Sequence, residues 1–229
     1  MSDAQFAELR RLMVGQIVAQ TIFACLRIGK AALSRRVLAA MEKVPRHEFV
    51  PPPMRRYAYA DTPLPIGFGK TISQPFIVAL MTDLLAPEPT DRVLEIGTGM
   101  GYQAAVLAEL VAQVFTVELI AELAAAARRR LSRLGYQNVE VRNDNGVAGW
   151  PEAAPFDKII VTAASTRIPP RLLQQLRPGG RMVLPTGRPD AQQLVLVKKD
   201  EMGAVSTREI LPVRFSMLDQ HEPGATWPS

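Results

Sequence analysis

The chain has 229 residues, 48% hydrophobic and 21% charged, an ordinary make-up for a soluble globular protein and long enough for one sizeable α/β core. Its net charge of +5, from 27 basic against 22 acidic residues, is spread over the pairs Arg10-Arg11, Arg35-Arg36 and Arg55-Arg56 and the cluster Arg128 to Arg130 with Arg133, so solvated helix faces account for it without a nucleic-acid partner. The single cysteine, Cys25, excludes an intramolecular disulfide and fits a reducing, cytoplasmic setting; with His47 and His221 the only histidines, no metal-ligand cluster is expected.

From the N-terminus, the segment from Val14 to Leu26 is apolar enough to raise the question of a signal peptide. Gln16 and Gln20 interrupt it, no small-residue cleavage site follows, and it is too short to span a bilayer. Phe6, Leu9, Met13 and Ile17 recur at helical spacing, which predicts an amphipathic helix packed on the domain and no membrane association. Ser34 is placed to cap a second helix over 35–44, ended by Pro45. Val50-Pro51-Pro52-Pro53 reads as an extended surface connector.

Residues 57–75 read as irregular, punctuated by Pro63, Pro65, Gly67 and Gly69, and lead into Thr71-Ile72-Ser73-Gln74-Pro75. Pro75 suits the first turn of a helix whose apolar face is Ile77, Leu80, Met81, Leu84 and Leu85. Ser73 or Gln74 then lies near the N-cap, where free N–H groups favour an anion; the plainer reading has Ser73 merely capping the helix.

The stretch Arg92 to Tyr102 runs from an apolar strand through a glycine-rich turn into a helix over 104–111. Gly97 permits a sharp turn, Gly99 lets a ligand approach the backbone, and Gly101 lets the helix sit close to the sheet. The spacing is G-x-G-x-G, not the G-x-G-x-x-G of dinucleotide-binding folds. The next strand, 113–117, ends at Glu118, where a carboxylate can take both hydroxyls of a ribose, while Glu95 ahead of the turn welcomes an amino-acid end and repels a pyrophosphate. Together these are the pattern of S-adenosylmethionine-dependent methyltransferases.

Beyond the turn the chain alternates as an α/β protein: helix 119–134, strands 139–142 and 156–161, helix 170–176 and strand 181–184. Asn145-Gly146 and Gly149-Trp150 fall at the carboxyl edge, where Trp150 is either a core aromatic or the wall of an adenine pocket. Arg177-Pro178-Gly179-Gly180 reads as a turn. Strands over 193–199 and 205–215 add an antiparallel edge, and the tail beyond Leu218 reads as loosely ordered.

Several motifs coincide and together resemble the protein-L-isoaspartate O-methyltransferases over most of the chain. Val44-Pro45-Arg46-His47-Glu48-Phe49-Val50 is similar to the family's N-terminal region, and Leu64-Pro65-Ile66-Gly67 with Thr71 to Pro75 to its active-site loop. Glu95 to Gln103, Gly149-Trp150-Pro151, Ala154 to Asp157 and Ile159 to Ala164 follow in the family's order. The resemblance implies a Rossmann-like class I methyltransferase fold: a mostly parallel sheet with helices on both faces and an antiparallel C-terminal edge, forming one structural domain in which 1–75 is the helical region with the active-site loop and 76–229 the core. It implies methyl transfer from S-adenosyl-L-methionine to the α-carboxylate of L-isoaspartyl residues in damaged proteins or peptides. The ester then closes spontaneously to a succinimide, whose hydrolysis regenerates some normal aspartate. Ser73 becomes the active-site serine with Thr71 beside it; Glu95, Gly97, Thr98, Gly99, Gly101, Glu118, Asn145 and Gly146 are implied to hold the cofactor.

Three positions depart from the pattern. Lys70 stands where a glutamine is expected, Asp144-Asn145-Gly146 where the family has G-D-G at the adenine, and Val213 to Leu218 where it has V-R-F-V-P-L near the bound peptide. The last motivates an alternative acceptor, one defined peptide; the altered adenine loop motivates a non-catalytic cofactor-binding module.

Overall fold

Seven strands form the central sheet in the order β5-β4-β3-β6-β7-β8-β9. They are β3 (Arg92–Ile96), β4 (Gln113–Glu118), β5 (Val139–Asn143), β6 (Phe156–Val161), β7 (Leu176–Arg188), β8 (Ala191–Lys199) and β9 (Val205–Val213). The first five run parallel, and β8 and β9 join antiparallel at one edge, as expected from the sequence. The computed structural model describes residues 1–218; the tail expected to be loosely ordered, and His221 with it, lies outside the described residues.

The apolar runs in β3, β4 and β6 bury both faces, which is why they read as nearly continuous rather than alternating. Val93, Val114 and Ile160 point to a core shared with α1 (Asp3–Ile28), α2 (Arg35–Lys43), α3 (Pro75–Leu85), α4 (Tyr102–Ala108) and α5 (Ala121–Arg133). Leu94, Phe115 and Ile159 point the other way, toward Trp150, Phe156 and α6 (Pro170–Gln175). Trp150 is therefore a core aromatic, edge-on to Phe115 at 5.3 Å. The chain leaves β3 outward to β4 and β5, then returns to β6 on the other side of β3. That reversal opens a crevice beyond the carboxyl ends of β3 and β6, the place where open α/β sheets bind ligands.

Six local expectations are corrected. The N-terminal helix is not amphipathic: Phe6, Met13, Ile17 and Ile28 are buried against the domain, yet Leu12, Val18, Ile22, Phe23 and Leu26 face outward, with Phe23 and Leu26 each 96% exposed. At 26 residues it is also long and apolar enough to cross a membrane by length and composition, because the apolar run continues the helix begun at Asp3. Ser34 occupies its N-cap position without a side-chain bond; its own N–H donates to Asp83 instead. Pro52 and Pro53 do not extend the connector but open a 3-10 helix over Pro52–Tyr57, because proline is tolerated in a first turn that needs no N–H.

The stretch read as irregular contains a hairpin, β1 (Leu64–Gly67) and β2 (Lys70–Ile72), closed by three successive residues with positive φ, Gly67, Phe68 and Gly69. Arg177 to Gly180 is not a turn between elements. It is a bulge inside β7, where the register with β6 jumps from Phe156↔Leu176 to Lys158↔Arg181.

Candidate functional site

At the end of β3 the backbone turns through Gly97 at φ 96°, and a Cβ there would lie 2.5 Å from the Thr162 hydroxyl at the end of β6. That hydroxyl donates to the carbonyls of Ile96 (3.0 Å) and Gly97 (2.7 Å), stitching the two strand ends together across the crevice. The N–H of Gly99 donates to Glu118 Oε2 at 2.7 Å, and that of Ile120 to Oε1 at 3.0 Å. One carboxylate thus ties the glycine turn to the entry of α5. Each oxygen keeps a lone pair for a ligand hydroxyl. Gly101, at φ 95°, has a different neighbour from the one expected: a Cβ would press on Leu131 and Ala127 of α5, not on the sheet.

Behind the turn, Thr98 and Thr116 share a hydroxyl bond of 2.6 Å, and the Thr116 hydroxyl reaches Glu95 Oε2 at 2.5 Å. Glu95 is fully buried, and its Oε1 has no hydrogen-bond partner. Burial pushes its pKa up to about 8, against the Thr116 bond that favours the ionised form. Burial raises Glu118 too, opposed by the N–H groups of Ile120 and Gly99 and by the charge of Lys70. Burial thus works against ionisation of both carboxyls, and a positive charge beside them would favour it.

The second half of the site is held from a distance. Gln74 is the N-cap of α3 without a side-chain capping bond, and Asp61, from the loop preceding the hairpin, does that work. Its Oδ1 accepts from the N–H of Phe76 at 2.9 Å, and its Oδ2 from Gln74 at 2.7 Å and from Gln20 of α1. The Ser73 hydroxyl is therefore not the cap, and the plainer reading of that residue fails. Its carbonyl is held by Arg46, whose Nη2 donates to it at 2.7 Å while Nε donates to the carbonyl of Ala58 at 2.8 Å.

A cavity of about 540 Å³ joins the two halves. Of the expected site residues it is lined by Thr71, Ser73, Gly97, Thr98, Gly99, Glu118 and Gly146, together with Lys70. Glu95 lies beneath it, one threonine bridge away from Thr98; Gly101 faces α5. Asn145 is not in the lining: its Oδ1 accepts from the N–H of Val147 at 3.0 Å and starts a short 3-10 turn over Gly146–Ala148. The segment from Arg214 to Leu218 lines the far wall, fixed by the 2.8 Å bond from Ala164 N–H to the Ser216 carbonyl.

Sequence reasoning gave no role to Asp61, Arg46 or Thr162, although Arg46 and Thr162 lie within motifs it singled out. All three act on backbone groups brought close only by the fold, so no periodicity or spacing announces them.

This size suits a nucleoside-sized ligand with space for a second group beside it, as drug-sized ligand pockets span roughly 300–1,000 Å³. Comparison with known proteins agrees. Residues 18–222 match the family described as protein-L-isoaspartate(D-aspartate) O-methyltransferase. The chain is 61% identical to protein-L-isoaspartate O-methyltransferase 1 of Polaromonas sp. over 98% of its own length and 95% of the relative's. A solved protein-L-isoaspartate O-methyltransferase superposes with a TM-score of 0.78 at 29% identity, covering 91% of this chain and 65% of that one. The beta-aspartate methyltransferase of Plasmodium falciparum in complex with S-adenosyl-L-homocysteine shares the fold, with a TM-score of 0.71 at 23% identity over 82% and 92% of the two chains.

Proposed function

The chain belongs to the protein-L-isoaspartate O-methyltransferase family, and from that premise we infer how its own residues divide the work of the reaction. It is an S-adenosylmethionine-dependent methyltransferase that esterifies the α-carboxylate of L-isoaspartyl residues in damaged proteins and peptides. The observation that carries the division is that one cavity joins the glycine turn and Glu118 to Thr71 and Ser73.

S-adenosylmethionine supplies a methyl group already activated on a sulfonium. The residues present fit it. Gly97 and Gly99 leave the backbone bare where a ligand must lie, Glu118 offers free lone pairs to a ribose, and the buried carboxyl of Glu95, with its unpartnered oxygen, is one whose ionisation a cationic ligand above it would favour. Gly146 brings bare backbone to the adenine side, and Asn145 shapes that turn from behind. Gly101 acts through packing, by letting α5 approach.

The acceptor is a carboxylate, ionised at neutral pH and a competent nucleophile, so no general base is required. What remains is alignment and exclusion of water. Ser73 and Thr71 hold the carboxylate by hydroxyl hydrogen bonds against the start of α3. Because Asp61 has taken over the capping of that helix, the Ser73 hydroxyl is free for this task. The segment 214–218 forms the wall along which the peptide lies. Residues 1–75 and the core that follows act as one domain, in the cytoplasm, with no nucleic-acid partner.

The test is incubation with methyl-labelled cofactor and an isoaspartyl peptide beside its normal aspartyl twin. Base-labile label enters only the isoaspartyl peptide; label in another acceptor and none in this one would move the chain to a different substrate within the same fold. In the same assay Ser73→Ala lowers turnover at least about tenfold with cofactor affinity unchanged, the scale of one hydrogen bond to a charged group. Undiminished turnover would remove Ser73 from the site.

A further inference from the structure

We propose that Arg46 is a positioning residue for the acceptor carboxylate: a buried guanidinium behind the Ser73 loop whose positive charge, met by no ion pair among the described residues, makes the cavity prefer an anionic group at Ser73. The proposal rests on the reading of Ser73 given above.

Arg46 has no exposed surface. Its hydrogen bonds go to two neutral carbonyls, those of Ala58 and Ser73, and Nη1 has no partner. It forms no ion pair among the described residues. Asp61, the carboxylate that faces it, keeps its charge, because its partners Phe76, Gln74 and Gln20 are neutral donors, but it forms no ion pair with Arg46 and so offsets the guanidinium only in part. The guanidinium carbon lies 4.7 Å above the ring of Tyr102, and the nearby phenols of Tyr102 and Tyr59 are held neutral by burial, so neither cancels the charge.

Buried ionic groups are normally paired, and an orphaned one calls for an explanation. Here Ser73 and Tyr102 both line the cavity, so the charge stands one residue behind its wall on two sides. In a dry, weakly polarisable surrounding, a charge at that range acts strongly on an entering carboxylate. It does so without touching it. Arg46 therefore orients the Ser73 carbonyl and sets the potential, while Ser73 makes the contact.

A purely mechanical role, tying residues 46, 58 and 73 together, makes a different prediction, and the charge of the ligand separates the two. Two peptides are titrated into the full-length protein saturated with S-adenosylhomocysteine: one with the isoaspartyl α-carboxylate, one with that group replaced by a neutral carboxamide. The wild type prefers the carboxylate. In Arg46→Met that preference shrinks roughly tenfold, a loss expected from one buried charge, and Arg46→Lys restores most of it. Equal weakening of both peptides in Arg46→Met, or an unchanged preference, overturns the proposal and leaves a tie-rod. Unchanged S-adenosylhomocysteine affinity certifies that each variant is folded; should Arg46→Met fail that check, Arg46→Gln, neutral but still a donor to one carbonyl, takes its place. A wild type that neither methylates nor prefers the isoaspartyl peptide would instead refute the reading of the site itself.

Discussion

The two halves of the cavity are built by opposite means. Around the glycine turn the ties run between strand ends of the one sheet: the Gly99 N–H meets a carboxylate at the end of the neighbouring strand, and Thr162 closes the strand end on the other side. Around Ser73 the loop is held by side chains of the N-terminal region, outside the sheet: Arg46 at the Ser73 carbonyl and Asp61, itself tied to Gln20, at the start of α3. The cofactor half is a property of the sheet; the acceptor half is a property of how the N-terminal region docks on it. Substitutions in the first should therefore be read in cofactor binding, and in the second in peptide binding.

The largest effect is expected at the hinge of the cofactor half. Glu118→Ala removes the ribose acceptor and leaves the N–H groups of Gly99 and Ile120 without their partner. Cofactor affinity should fall by about 1.5–3 kcal/mol, the scale of hydrogen bonds to a charged group. Calorimetric titration with S-adenosylhomocysteine reads it directly. An affinity within twofold of wild type would mean that the ribose is held elsewhere and that the turn keeps its shape without the carboxylate.

Glu95 sharpens the comparison from beneath the same half. With its folded pKa raised to about 8, the native protein retains a proton that the unfolded chain releases at lower pH, so this group's effect is to reduce stability as pH rises through the interval up to about 8. Glu95→Gln keeps an acceptor for Thr116 and removes the titration. Urea unfolding of the unliganded protein should show the variant gaining on wild type by roughly 2 kcal/mol between pH 6 and 8, at about 1.4 kcal/mol per pH unit while the proton is retained. Parallel pH profiles would mean that Glu95 is ionised in the free protein.

In the acceptor half, Asp61→Ala removes the cap of α3 together with the anchors of Gln74 and Gln20. Stability should fall by about 1–2 kcal/mol, the range for a lost cap. The KM for isoaspartyl peptide should rise while cofactor affinity stays within about twofold. If cofactor affinity fell in step with peptide affinity, the two halves would not be separable and the comparison would break.

The same contrast explains what could be read from the sequence. Order of strands, the glycine turn, Glu118 and the start of α3 at Pro75 all carry local signals: apolar runs, G-x-G-x-G, a strand end, a proline in a first turn. The β1–β2 hairpin does not, because its two-residue connection, Phe68-Gly69, puts positive φ on a phenylalanine and is none of the usual hairpin pairs. Arg46 and Asp61 were invisible for a deeper reason: their partners are backbone groups 12 to 27 residues away, and a side chain's choice of such a partner is fixed by docking and not by spacing. The outward face of α1 misled in the opposite sense, since the buried positions have the spacing of an amphipathic helix whose other face is polar, and that face is not.

The smallest effect is expected at Asn145, and it tests whether the cofactor half presents backbone to its ligand at this turn too. The family's aspartate at this position suggests a direct contact with adenine, which an asparagine would make less well, so that Asn145→Asp would tighten binding by about 1 kcal/mol. The geometry argues for less. Asn145 Oδ1 already accepts from the N–H of Val147, the side chain lies outside the cavity lining, and it is Gly146 that reaches the cavity, at a point where a Cβ would stand 2.4 Å from Ile96. Aspartate and asparagine are near-equal caps, so the turn that presents Gly146 should survive the exchange. We therefore expect Asn145→Asp to change cofactor affinity by less than about 0.5 kcal/mol, whereas Asn145→Ala, which loses the cap, weakens it by about 1 kcal/mol through the displaced turn. Titration of S-adenosylhomocysteine into both variants decides between a contact and a support. A clear gain in Asn145→Asp would put the side chain on the adenine; loss confined to Asn145→Ala would make this residue one that serves the ligand by holding its own turn in place.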